Sequence, residues 1–321
     1  MSRYLAATKQ KISSKISIKM ESITHTKRKL TDLLEPQFMA RLDGLDLASR
    51  RMLRGQTQGQ RLSKRRGQSV EFADHRQYTA GDDLRFLDWN IYARLEQLFL
   101  KLFLEEQDLT LHILMDVSES TATGEPSKAL FIRKMAAALG YVGVVHHNRV
   151  TISAFADGVT LQLANQRGRG CVSRLAEFLL TVESGGPSAF EKACKQVVQD
   201  RIGSGVVVVL SDMLFKEGYE AGLKRLFSRH YDVYVIQTLS PEERQPTLSG
   251  DLKLVDIEDA DMAEITISAA LLNYYRKTLA SYCDQLQQFC MRHGAGYVLA
   301  GSDASAERLT LNTLRKSGLL R

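Results

Sequence analysis

The sequence predicts an α/β protein with a doubly wound, mostly parallel β-sheet, preceded by an N-terminal accessory region of short strands and a helix. First, the apolar, β-branched run "GVVVVLSD", Gly205 to Asp212, is typical of a central parallel strand. Second, strand-like and helix-like segments alternate from Leu109 onward, which places helices on both faces of such a sheet. Third, 321 residues with 44% hydrophobic and 25% charged content are enough for a sizeable globular core.

The apolar patterning gives the elements of the alternating part in order. Strands are predicted over "LTLHILM", "RVTISAFAD", "VTLQLA", "GVVVVLSD", "DVYVIQTL" and "AGYVLA". Helices are predicted over "SKALFIRKMAAALGYVGVVHH", "CVSRLAEFLLTV", "SAFEKACKQVVQ", "YEAGLKRLFSR", "AALLNYYRKTLASYCDQLQQFCMRH" and "SAERLTLNTLRKS". The stretch "GDLKLVDIEDADMAEITIS" predicts a hairpin inserted into this series.

The accessory region has a different pattern. Apolar residues at helical spacing predict a helix from Thr31 to about Gly55, with Thr31 or Asp32 as its N-cap. The following stretch to Arg94 is rich in glycine and charge and predicts short strands and turns. We therefore divide the chain into a basic flexible arm (1–30), an accessory region (31–106) and an α/β domain (107–321) with its hairpin insertion near 251–268.

The positive charge of the chain is concentrated at its N-terminus. Residues 1–66 hold 16 Lys and Arg against 5 Asp and Glu, within a chain of net charge +6. Such an arm suits phosphate-rich partners or is simply a solvated tail. The run "KQKISSKISIKM" lacks the interleaved aromatic residues of a single-strand binder, so we do not expect a nucleic-acid partner.

The expected compartment is the cytoplasm. No run approaches the roughly 20 apolar residues that span a bilayer, and no apolar segment of a signal peptide follows the basic N-terminus. The four cysteines form no C-x-x-C pair, which favours buried, reduced thiols over a disulfide or zinc site.

Oxygen-bearing side chains gather where two predicted strands end. Asp116, Ser118 and Ser120 follow the strand "LTLHILM", and Asp212 ends the strand "GVVVVLS". The carboxyl ends of parallel strands share one edge of the sheet, where functional groups collect. Carboxylate and hydroxyl oxygens suit a hard cation such as Mg²⁺. Alternatively, the serines cap helices and Asp212 accepts hydrogen bonds from backbone N–H groups.

These residues resemble a known motif. The D-x-S-x-S pattern followed by a helix, with a later strand ending in Asp212, resembles the metal-ion-dependent adhesion site of von Willebrand factor A (VWA) domains. The segment "RRGQSVEFADHRQYTAGDDLRFLDWNIYARLEQLFLKLFLEE" resembles the signature of a bacterial group, domain of unknown function 58. That group couples a VWA-like domain to MoxR-type AAA+ ATPases. The resemblance extends from about Leu30 to Leu320.

The resemblance implies a ligand set. Asp116, Ser118 and Ser120 would form the first metal loop, and Asp212 would contribute from the later strand. The remaining ligand in the family is usually a Thr in a G-G-T-D-type loop. Here the loop reads Gly185-Gly186-Pro187-Ser188, so proline stands where threonine would fall, and Ser188 is the candidate replacement. The implied ion is Mg²⁺, with Mn²⁺ or Ca²⁺ as alternatives.

The charged segment before the sheet has two interpretations. It is either an internal network of ion pairs or a docking surface for the partner ATPase. The docking hypothesis assigns contacts to Arg76, Asp82, Asp83, Arg85, Asp88, Trp89 and Arg94.

The resemblance implies a non-enzymatic interaction adaptor that works with a MoxR-type AAA+ ATPase in chaperone-like assembly. The chain itself lacks a G-x-x-x-x-G-K-[ST] phosphate loop and a G-x-S-x-G elbow, so we expect neither ATP hydrolysis nor serine hydrolase chemistry. The enzymatic alternative is a metal-dependent phosphodiesterase or nuclease, in which Asp116, Asp157 and Asp212 hold the ion.

Overall fold

The computed structural model describes residues 30–49, 71–104, 109–199, 205–229, 231–247, 250–255 and 262–321. Its strands are β1 (Glu71–Gln77), β2 (Phe99–Leu104), β3 (Thr110–Asp116), β4 (Arg149–Ala156), β5 (Gly158–Gln166), β6 (Gly205–Ser211), β7 (Tyr231–Leu239), β8 (Gly250–Val255), β9 (Met262–Ile267) and β10 (Gly296–Gly301). Its helices are α1 (Pro36–Leu42), α2 (Trp89–Leu95), α3 (Lys128–Val145), α4 (Val172–Thr181), α5 (Phe190–Gln199), α6 (Glu220–Phe227), α7 (Pro241–Arg244), α8 (Ala269–Arg292) and α9 (Ala306–Arg308).

A six-stranded sheet organises the part of the chain that the structure describes. The strand order is β10-β7-β6-β3-β4-β5, and every neighbouring pair is parallel except β4 with the edge strand β5. The predicted doubly wound, mostly parallel α/β sheet is therefore confirmed. In the register, Met115 of β3 lies opposite Leu210 of β6. The residues that follow these two strands consequently emerge side by side at the carboxyl edge.

Apolar side chains cover both faces of the sheet. One core contains residues of α3 and α4 together with apolar residues from 30–47 and 309–320, and the other contains residues of α5, α6 and α8. The helix α3 is buried around almost its whole circumference. Gly143 lets it approach the sheet closely, because a Cβ there would lie 2.4 Å from Cγ2 of Val150.

The N-terminal helix is shorter than predicted. The prediction of one helix from Thr31 to about Gly55 is wrong: Leu30–Asp32 forms a 3₁₀ turn, and α1 begins only at Pro36 and ends at Leu42. Beyond it the backbone extends, and Leu47 pairs with Leu320 near the C-terminus. Bonding to a distant strand-like segment replaces the helix that local propensity favours. Residues 50–55 of that prediction lie outside the described residues.

The small sheets agree with the patterning of their segments. β1 and β2 pair antiparallel, as do β8 and β9, which form the hairpin predicted before α8. The final predicted helix is also present, with α9 continuing as a π-helix over Leu309–Leu314. The basic arm falls outside the described residues except for Leu30. The three-part division of the chain stays a prediction.

The cysteines and the helix lengths can be compared with the sequence predictions. All four cysteines are free; Cys194, Cys283 and Cys290 are buried as predicted, whereas Cys171 is partly exposed. None of the helices among the described residues is long and apolar enough to cross a membrane.

The buried histidine of β3 predicts sensitivity to acid. His112 is fully buried, its Nε2 lies 2.8 Å from Oγ of Ser153, and burial lowers its pKa to about 3. Above pH 6.5 the ring is neutral in both the folded and the unfolded chain. Below that pH His112 is protonated in the unfolded chain but stays neutral in the folded chain. The free energy of unfolding therefore falls between pH 6.5 and 3, by up to about 1.4 kcal/mol per pH unit.

Urea unfolding at pH 7, 6, 5 and 4 tests this expectation. His112→Gln should reduce the loss of unfolding free energy on acidification. His147→Asn, at an exposed histidine, is the matched control and should keep the wild-type slope. Identical slopes for wild type and His112→Gln would contradict the assignment.

Candidate functional site

The Asp116 carboxylate is the buried centre of the site at the carboxyl edge of β3. It is 1% exposed. Its Oδ1 accepts hydrogen bonds from the backbone N–H of Ser118 at 2.9 Å and from the Ser118 hydroxyl at 2.7 Å. Its Oδ2 accepts from the hydroxyl of Ser211 at 2.6 Å. Both oxygens are thus held in place by the ends of two adjacent strands.

A chain of polar contacts connects Asp116 to Asp212. The hydroxyls of Ser118 and Ser120 lie 3.0 Å apart, and Ser120 donates to Oδ2 of Asp212 at 3.3 Å. Asp212 is 3% exposed, and its backbone carbonyl accepts from Gln237 at 2.9 Å. The structure therefore brings together Asp116, Ser118, Ser120 and Asp212, the four residues chosen from the strand ends.

A lysine ammonium lies at the far end of this chain. Nζ of Lys128, in the first turn of α3, donates to Oδ2 of Asp212 at 2.8 Å and also to Oε1 of Glu243. The Lys128 side chain is 1% exposed, and the Glu243 side chain is 24% exposed. Glu243 is fixed in a capping box with Ser240 at the start of α7. The ammonium thus bridges two carboxylates from different elements.

The local electrostatics reflect the crowding of carboxylates. Burial, and then the neighbouring Asp212 carboxylate, raise the pKa of Asp116 to about 7, although the hydrogen bonds from Ser211 and Ser118 oppose that shift. For Lys128, burial alone disfavours the charged form. The Asp212 and Glu243 carboxylates outweigh this effect and raise the pKa of Lys128 above its ordinary value. The net effect of burial and the neighbouring carboxylates is therefore to shift Asp116 and Lys128 in the same direction, toward their protonated forms.

The glycine-rich loop closes on the site from the side. Gly185 donates through its backbone N–H to the carbonyl of Val117 at 2.8 Å, and the carbonyl of Gly186 accepts from the N–H of Glu119 at 3.0 Å. Gly186 has a φ of +83°, which favours glycine. Ser188 follows the exposed Pro187 and is partly buried, and its buried Oγ has no hydrogen-bond partner in the described structure. An unpartnered hydroxyl on the loop that contacts Val117 and Glu119 is a candidate ligand atom.

Three residues of the site, Ser211, Glu243 and Lys128, were not predicted from the sequence. Ser211 looks like the end of an apolar strand, and Glu243 lies in a short turn far along the chain. Lys128 did carry a signal, because a cation in the first turn of an apolar helix opposes the helix dipole. Neither its buried position nor its partners can be read from that signal alone.

The three-carboxylate arrangement of the nuclease alternative is not assembled. Asp157 lies between β4 and β5, its side chain is 65% exposed, and it pairs with Lys192 of α5 at 2.9 Å. No group of three or more His, Cys, Asp or Glu side chains suited to a metal ion occurs within the described ranges. The oxygens near Asp116 and Asp212 come instead from hydroxyls.

The charged residues before the sheet are mostly paired with one another. Arg76 binds Asp82 at 2.8 Å, and Arg85 binds Asp83 at 2.5 Å. The docking hypothesis is corrected at Asp88, because this residue is buried. It is 6% exposed, accepts from the N–H groups of Asn90 and Ile91 at the start of α2, and lies 3.0 Å from His75.

The hydrogen bond with His75 and those from the backbone hold the pKa of Asp88 at about 2. Asp88 therefore caps α2 and is not available to a partner, whereas Arg94 is exposed.

Five large apolar side chains within residues 84–95, Trp89 among them, are exposed. The Trp89 side chain is 63% exposed and contacts the Tyr92 ring edge-on, with 6.1 Å between ring centroids. We define the Trp89 surface by its exposed residues, which are Leu84, Phe86, Trp89, Tyr92 and Leu95. Clustered exposed aromatic and aliphatic side chains mark interaction sites on protein surfaces. Only Trp89 of this set was singled out from the sequence.

Comparison with known proteins gives the family. Residues 74–282, more than half of the chain, match the family described as "Protein of unknown function DUF58". The chain belongs to the DUF58 family. This DUF58 chain is also 24% identical over 257 residues to the uncharacterized protein Rv1480 of Mycobacterium tuberculosis, covering 78% of this chain and 80% of that protein.

Two solved structures are similar to part of this DUF58 protein. The SpRpn10 VWA domain is 13% identical and aligns over 64% of this chain and 95% of its own, with a TM-score of 0.37. The manganese-loaded TRAP protein of Plasmodium vivax is 17% identical and aligns over 40% of this chain and 57% of its own, with a TM-score of 0.31.

Proposed function

We propose that this DUF58 protein is a non-enzymatic adaptor that binds a protein partner through a divalent cation at the Asp116 site. The observation that best supports this proposal is the series of hydrogen-bonded side-chain oxygens that runs from Asp116 through Ser118 and Ser120 to Asp212. Mg²⁺ is the preferred ion, because these are hard oxygen donors and few of them are charged. When bound, the ion supplies a Lewis-acidic contact for an Asp or Glu of the partner.

The donor set fits such an ion. Asp116 and Asp212 supply carboxylates, Ser118 and Ser120 supply hydroxyls, and the unpartnered Oγ of Ser188 is the remaining candidate. The chain orients these groups through the Ser211 hydroxyl and the backbone contacts of the 183–190 loop. A weakly charged ligand set leaves the ion electrophilic toward an outside carboxylate.

We further propose that the partner is a MoxR-type AAA+ ATPase and that it docks on the Trp89 surface. Exposed aromatic residues with arginine beside them are the usual anchors of protein interfaces. Arg94 lies on the same helix as Trp89, and Arg85 is 78% exposed in the preceding turn. Arg94 favours a partner surface that carries acidic residues, whereas Arg85 is already paired with Asp83.

Thermal unfolding of the full chain tests the ion site. Wild type in EDTA is compared with wild type in millimolar Mg²⁺ or Mn²⁺. A ligand at about 100 times its Kd stabilises the native state by about 2.7 kcal/mol, so the unfolding midpoint should rise. Asp116→Ala should abolish the rise.

Asp157→Ala is the matched control, since it removes an exposed carboxylate near the same edge. It should respond to the ion like wild type. An unresponsive wild type, or an Asp116→Ala variant that still responds, would refute the ion site. Loss of the response in Asp157→Ala would instead favour the nuclease arrangement.

A further inference from the structure

We propose that Lys128 is the resident counter-cation of this site, competes with a divalent cation for Asp212, and thereby sets the ion affinity of the protein. This inference rests on the proposed function, because it assumes that Asp212 is an ion ligand. It goes beyond that function by assigning control of the affinity to a residue outside the ligand set.

The contacts at Asp212 are the reason to expect competition between Lys128 and a divalent cation. Oδ2 of Asp212 accepts from the Lys128 ammonium at 2.8 Å and from the Ser120 hydroxyl at 3.3 Å. Its other oxygen, Oδ1, accepts from the backbone N–H of Leu214 at 3.2 Å. The Asp212 oxygen that accepts from Ser120 is therefore the same oxygen that is already paired with the Lys128 ammonium.

Burial makes this charge effective. The Lys128 side chain is 1% exposed and the Asp212 side chain 4% exposed, so solvent screens their attraction poorly. The same lack of screening opposes a second cation nearby. The Lys128 charge therefore lowers the affinity of Asp212 for a divalent ion by repulsion. The ion must also replace the hydrogen bond from Lys128.

Glu243 offers Lys128 a second partner. The ammonium donates to Oε1 of Glu243, whose other oxygen accepts from the N–H of Ser240 at 2.8 Å. The Glu243 carbonyl also accepts from the hydroxyl of Tyr275 in α8 at 2.9 Å. Because the Glu243 carboxylate is held in place, Lys128 retains a negatively charged partner when Asp212 binds another cation. The exchange leaves no buried charge unpaired.

Titration of the purified full chain with Mn²⁺ tests the inference. Lys128→Met keeps the length of the side chain without its charge, and it should bind Mn²⁺ at least about tenfold more tightly than wild type. Lys195→Met, at an exposed lysine, is the matched control and should bind like wild type. In EDTA, Lys128→Met should unfold at a lower temperature than wild type, and Mn²⁺ should raise its midpoint by more.

A second variant covers a failure of Lys128→Met to fold. Glu243→Gln leaves Lys128 with Asp212 as its carboxylate partner and should weaken Mn²⁺ binding several-fold. Glu119→Gln removes an exposed carboxylate between the two serine ligands, and it should weaken binding less. A larger effect of Glu119→Gln than of Glu243→Gln would indicate general charge effects and overturn the inference.

The outcomes separate the inference from the proposed function. Equal Mn²⁺ affinity in wild type and Lys128→Met would overturn the role of Lys128 and leave the ion site standing. Binding only in Lys128→Met would support the inference and refute ion binding by the wild-type chain. Absence of binding in every folded variant would overturn both.

Discussion

Replacement of Phe38 by alanine is expected to lower the free energy of unfolding by about 3–5 kcal/mol. Phe38 lies on α1, is 5% exposed, and belongs to the same continuous core as Phe131 and Met135 of α3. The truncation removes buried apolar contacts and leaves a cavity between the N-terminal segment and the sheet domain. The loss should therefore appear in the unfolding of the α/β domain itself.

Urea unfolding followed by circular dichroism measures this effect. Phe86→Ala is the matched control, because the same side chain at position 86 is 37% exposed and should cost less than about 1 kcal/mol. A separate transition for the N-terminal segment, with the main transition unchanged by Phe38→Ala, would contradict the shared core. It would instead support a boundary at residue 106.

Replacement of Trp89 by alanine is expected to weaken binding to a MoxR-type AAA+ ATPase by at least about 30-fold. Central aromatic anchors commonly contribute 2 kcal/mol or more to an interface, which corresponds to this factor. Trp89 is 63% exposed and contacts Tyr92, but it makes no part of the buried core. Its loss should thus affect binding and leave the stability of the chain nearly unchanged.

Binding of the purified ATPase to the immobilised full chain measures this prediction. Leu161→Ala is the control, since Leu161 is a 50%-exposed apolar residue on the edge strand β5. It should bind like wild type. Equal affinity for wild type and Trp89→Ala would exclude the Trp89 surface as the docking site, while leaving the ion site to its own test.

The alternating part of the fold could be predicted because its signals are local. The run Gly205–Ser211 is buried along its whole length, and its β-branched composition marks a central strand before any contact is known. The same reasoning brings the strand ends together, since neighbouring parallel strands share one edge. Asp116 and Asp212 were therefore placed near each other without a structure.

The N-terminal helix shows where local signals fail. Helical spacing favoured one long helix after Thr31, but the extended segment at Leu47 pairs with Leu320, far along the chain. The energy of that pairing depends on where the C-terminus lies, and helix propensity contains no information on that position. Exposure of the Trp89 surface is likewise decided by the tertiary arrangement of the described residues, which leaves these side chains uncovered.

The sequence by itself determined the sheet, its parallel character and the oxygen-rich edge, because periodicity and burial are properties of neighbouring residues. Only the tertiary structure decided which charges meet there. Lys128 is 84 residues from Asp212 and 115 from Glu243, yet its ammonium contacts both carboxylates. Long-range electrostatic pairing has no local signature, and it is this pairing that determines how the site balances its charge.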